Sequence, residues 1–78
     1  MNLSDAIRVK IYNLLKEHNV NIWYMCKKSG IPCSTVTTFL NGKTKLLKID
    51  NILHICEAFD ISLSDFFADD VFTDVYYD

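Results

Sequence analysis

A chain of 78 residues has room for one domain, which buries roughly 60% of the surface its unfolded form would expose. Half the residues are apolar, with only two glycines and one proline, and this excludes disorder and low-complexity or collagen-like classes. The net charge of −2 conceals a segregation: eight bases against two acids in residues 1–48 leave +6, and eight acids with no base in residues 49–78 leave −8. An acidic chain is a poor match to nucleic acid as a whole, but a basic half supplies the local positive face that phosphate neutralisation needs.

The first helix is predicted from Ser4, a candidate cap, to about His18, with Ile7, Ile11, Leu14 and Leu15 on one face. Asn19 to Asn21 is a break, and Asn21 caps a two-turn second helix that turns Met25 and Cys26 inward and Lys27 and Lys28 outward. Gly30 to Pro32 reads as a tight turn, since Gly30 supplies a left-handed residue and Pro32 pushes Ile31 into an extended conformation. The third helix starts at Cys33 or Ser34 and ends at Leu40, burying Val36, Phe39 and Leu40 and exposing Ser34, Thr35, Thr37 and Thr38.

Asn41-Gly42 stops that helix, and Lys43-Thr44-Lys45 forms a polar loop ending near Lys48. A fourth helix over Ile49 to Phe59 is expected to bury Ile52, Leu53, Ile55, Cys56 and Phe59. Ser62 and Asp65 make a capping box for a short fifth helix that carries Leu63, Phe66 and Phe67 onto the core. Residues 1–68 are therefore expected to form the domain, and residues 69–78 an acidic, aromatic tail without a clear period.

The three cysteines are odd in number and scattered, which reads as reduced thiols and not as a disulfide frame. Their spacing also lacks the close pairs of a zinc site, so no metal is expected. No window approaches the run of about 18 apolar residues that a membrane span needs, and the expected location is cytoplasmic. His18 and His54 have no paired nucleophile or acid, and there is no glycine-rich phosphate loop, so neither an enzyme nor a cofactor nor a small-molecule substrate is expected.

Residues 22–41 read IWYMCKKSGIPCSTVTTFLN. They place a small residue where two helices cross, a turn glycine, and apolar anchors that hold the second helix at an angle to the first. With the Asn41 to Lys45 loop and the run from Ile52 to Phe67, this resembles the Cro/XRE family of lambda-repressor-like regulators, in its small Gram-positive bacterial or phage form. The resemblance covers about residues 7–67. It implies an all-α, five-helix domain with the helix-turn-helix at helices 2 and 3, working as a transcriptional repressor on double-stranded DNA, as a homodimer.

By position, the resemblance assigns base reading to Cys33, Ser34, Thr37 and Thr38, which lack the bidentate donors of Arg, Asn or Gln and so predict modest base discrimination. Phosphate contacts are expected from Asn21, Tyr24, Lys27, Lys28 and Thr35, and from Lys43, Thr44 and Lys45 in the loop. Two departures stand out. Lys10 and Leu40 occupy positions where many relatives pair an arginine with a glutamate, and Leu46-Leu47-Lys48 lacks the proline often found there. A competing function is a protein-interaction module, such as an antitoxin or a phage-regulator partner, that uses the acidic half and the aromatic tail.

Overall fold

A computed structural model describes residues 1–77, and Asp78, the last residue of the predicted tail, lies outside them. Helices α1 (Leu3–His18), α2 (Ile22–Ser29), α3 (Cys33–Leu40), α4 (Ile49–Ala58) and α5 (Leu63–Phe67) follow in order, and a 3-10 helix covers Asp70–Phe72. The all-helical expectation holds, and the five α-helices lie where hydrophobic periodicity placed them, to within a residue or two at their ends.

Helix α1 starts earlier than predicted. Its cap is Asn2, whose side chain accepts from the Asp5 N–H at 2.8 Å. Ser4 is buried instead, and its hydroxyl donates to the Lys45 carbonyl. A tertiary bond has taken the residue that local propensity offered as a cap. Asn19, with φ 55, closes α1 in the left-handed region, one of the few conformations in which asparagine substitutes readily for glycine.

The core runs through all five helices: Ile11, Met25, Val36, Phe39, Ile55 and Phe66 are fully buried. Helix α2 packs against both α3 and α4, and α4 against α5. Leu53, expected inside, is exposed. The stripe that α4 turns inward is Ile52, Ile55 and Cys56, continued by Phe59 just past its end, and Leu53 lies one step off it. The capping box of α5 forms as predicted, with Ser62 accepting from the Asp65 N–H and Asp65 from the Ser62 N–H.

Residues 69–77 return along α1. Asp69 caps the 3-10 helix and accepts from the Lys10 ammonium at 3.0 Å. Phe72 joins Phe66 and Phe67 in an aromatic cluster with ring centroids 4.9–5.9 Å apart. Leu3 then donates to the Tyr76 carbonyl at 2.9 Å, within an isolated parallel bridge between Asn2 and Tyr76.

The thiol expectation needs correction. Cys26 and Cys33 are joined as a disulfide with Cα atoms 5.3 Å apart, while Cys56 is a buried free thiol. The pair escaped the sequence argument because its members meet only when α2 and α3 cross.

Candidate nucleic-acid interface

The turn between α2 and α3 is set by Gly30, whose φ of 77° puts it in the left-handed region and whose N–H donates to the Cys26 carbonyl at 2.9 Å. Pro32 then sits at the cap of α3, where its missing N–H removes nothing the helix needs. Buried Ile31 and Val36 pin both ends of this turn to the core. These local choices fix the angle at which α3 is presented.

Of the side chains assigned to base reading, Ser34 is exposed and Thr38 half-buried. With Thr35 they line an open groove of about 550 Å³ whose far wall is made by Thr44, Leu46, Leu47, Lys48, Asp50 and Asn51. Thr37 is half-buried, and its hydroxyl donates back to the Cys33 carbonyl at 3.0 Å, so its oxygen keeps only acceptor capacity for the outside. The sulfur of Cys33 is engaged with Cys26.

The groove's loop wall is built by α1. Arg8 donates to the Phe39 carbonyl at 2.7 Å and to the Thr44 carbonyl at 2.8 Å, lies 4.6 Å from the centroid of the Phe39 ring, and pairs with Asp5 at 2.8 Å. One guanidinium thus satisfies a carbonyl in the last turn of α3 and fastens the loop after it. Arg8 carried no role in the sequence analysis. The signal was faint, a single cation on an otherwise apolar turn of α1. Leu40 packs into the core, consistent with the missing ion pair noted above.

Lys43, Thr44 and Lys45 are exposed in this loop, and the Lys43 N–H closes on the Thr38 carbonyl at 3.1 Å. The Lys45 ammonium lies 5.8 Å from the centroid of the Tyr77 ring, so the tail reaches the loop. At the start of α2, Asn21 accepts from the Tyr24 N–H at 2.9 Å and acts as the predicted cap. Lys27 and Lys28 are exposed in the last turn, with Lys28 5.9 Å from the Tyr24 ring centroid. Trp23 is 71% exposed, more than any other large apolar residue here except Tyr77.

No acidic residue occurs between Glu17 and Asp50, while five lysines do. The exposed start of α3 and the Lys43–Lys45 loop therefore lie within one acid-free stretch, and Asp50 is the one carboxylate lining the groove, on its far wall, so the near side and the loop suit a polyanion. The profile of the Cro/C1-type HTH DNA-binding domain matches residues 10–70.

The chain belongs to the Cro/C1-type family. The Cro/C1-type match takes in all of α2 through α5 and the second half of α1, and it includes both Lys10 and its partner Asp69. No curated protein and no solved structure matches the chain. Among the described residues, no helix is long and apolar enough to cross a membrane, and no cluster of three or more His, Cys, Asp or Glu side chains is arranged to hold a metal ion.

Proposed function

We propose that this Cro/C1-type protein is a sequence-specific transcriptional regulator, acting as a repressor in the cytoplasm of a bacterium or from a phage genome, without catalysis, cofactor or small-molecule substrate. It lays α3 in the major groove as a homodimer on a pseudo-palindromic site. The observation that carries the reading is the groove in which Ser34, Thr35 and Thr38 face the loop that Arg8 fastens, with α3 and the loop inside the acid-free stretch and Asp50 the single carboxylate on the far wall. Ser34 and Thr38 touch base edges, with Cys33 and Thr37 shaping the near side. The residues placed against phosphate are Asn21 and Tyr24 at the start of α2, Lys27, Lys28 and Thr35, and Lys43, Thr44 and Lys45 in the loop.

Hydroxyls and methyls discriminate between bases less sharply than bidentate pairs do, so sequence preference is modest and DNA shape contributes to it. The test is selection from random-sequence duplexes at stated salt, followed by binding measured across a salt series. An enriched motif is expected. Changing both Lys43 and Lys45 to Glu is expected to weaken binding to every duplex and to reduce the slope of log affinity against log salt by about two, one counterion per lost phosphate contact. No enrichment over background would point to the interaction module instead, and an unchanged slope would remove the loop from the phosphate contacts.

A further inference from the structure

We infer that Cys26 and Cys33 are a reversible redox site, a thiol pair that hydrogen peroxide closes and low-molecular-weight thiols reopen, and that closure clamps the two helices of the motif. Only the effect on DNA rests on the function proposed above.

Three observations carry it. Cys26 lies in the middle of α2 and Cys33 is the first residue of α3, so the pair encloses the last residues of α2 and the Gly30 turn and ties one helix of the motif to the other. The Cα atoms of the closed pair are 5.3 Å apart, inside the usual span of a disulfide, so closure fits this helix crossing. Access is also unequal. Cys26 is buried and Cys33 half-buried, which leaves Cys33 as the sulfur that meets a small oxidant. Cys56, the remaining cysteine, is sealed in the core, where burial pushes its thiol up and away from the reactive thiolate.

The chemistry balances without a metal. The Cys33 thiolate attacks the peroxide O–O bond, taking one oxygen as a sulfenic acid and releasing the other as water once protonated. The Cys26 sulfur then displaces that hydroxyl, again lost as water, and the S–S bond forms. In sum, two thiols and one peroxide give one disulfide and two waters, with two electrons passing from sulfur to oxygen. Reopening is thiol–disulfide exchange, in which two external thiols become their own disulfide. In a reducing compartment such a pair is a sensor more often than a permanent staple.

Closure removes freedom from the α2–α3 unit and holds α3 at the angle the groove requires. The experiment takes the full chain, reduced and desalted, treats it with stoichiometric hydrogen peroxide, and then counts thiols by maleimide labelling under denaturing conditions. Labels are expected to fall from three, one on each cysteine, to one, with the mass of two hydrogens lost before labelling and no covalent dimer. Dithiothreitol is expected to restore all three.

The closed form is expected to melt about 5 °C or more above the open form. It is also expected to bind the selected duplex about fivefold or more tightly, the lower end of ordinary coupling between sites. Cys33→Ser is expected to keep two labels with or without peroxide and to show no thermal shift. Three labels after peroxide, oxygen added to Cys56, a covalent dimer, or equal melting temperatures would overturn the redox clamp. Equal affinities in the two states would overturn its effect on DNA. If neither state binds DNA the regulator reading fails, and the label count and melting temperatures still decide the clamp.

Discussion

Lys10 is buried in α1, and a buried ammonium is tolerated only when something answers its charge. Asp69 answers it from the far end of the chain at 3.0 Å. The same carboxylate accepts from the Val71 N–H at 3.1 Å, and that bond, followed by the one from Lys10, holds Asp69 below the usual carboxylate range. Asp69→Asn keeps an oxygen for Val71 and removes the charge. It is expected to lower stability at pH 7 by about 2 kcal/mol, less than for a fully buried pair because Asp69 stays partly exposed.

The sign of the pH dependence follows from the direction of that shift. A depressed carboxylate contributes fully above its unfolded value of about 4, and the contribution is lost as pH falls through the lower folded value. Thermal melts of the two proteins should therefore converge as the pH is taken below about 4. A gap that persisted undiminished in strong acid would mean the substitution acts through packing and not through charge.

Among the elements, the turn between α2 and α3 has the simplest energetics. A Cβ built on Gly30 meets nothing within 4 Å, so Gly30→Ala costs only the left-handed backbone itself, about 1 kcal/mol. A chemical-denaturation series should return a loss of that size, and one of 3 kcal/mol or more would reveal a clash that an open turn cannot produce. This turn was legible in the sequence because glycine and proline act locally, and so were the helices, whose apolar spacing repeats.

What escaped was decided by tertiary contact. Ser4 lost the cap to Asn2 because its hydroxyl reaches Lys45. Arg8 found its partners 31 and 36 residues away in sequence. Cys26 and Cys33 met only through the crossing of two helices, and residues 69–77 carried no period because bonds to α1, not a repeat of their own, hold them. For the interface the residue types were readable, while the groove joining Thr38 to Asn51 required the fold.

On the scale of the molecule, the acidic segment is part of the packing as well as of the charge balance. Removing residues 69–78 deletes four acids and no base, which takes the net charge from −2 to +2. It also strips Lys10 of Asp69 and takes Phe72 off the Phe66–Phe67 pair. The shortened protein is expected to melt lower, by about 3 kcal/mol of stability. It is also expected to bind non-specific DNA more tightly at low salt, since less self-repulsion opposes the duplex. Calorimetry and a salt titration on one preparation separate the two effects, and a truncation neutral in both would leave the segment without either role.

The bridge between Asn2 and Tyr76 brings the start of α1 and the Tyr76-Tyr77 segment together beside Lys45. A fluorophore attached at Asn2 or Tyr76 would sit next to the loop proposed to grip phosphate, so neither position is the neutral place for a label.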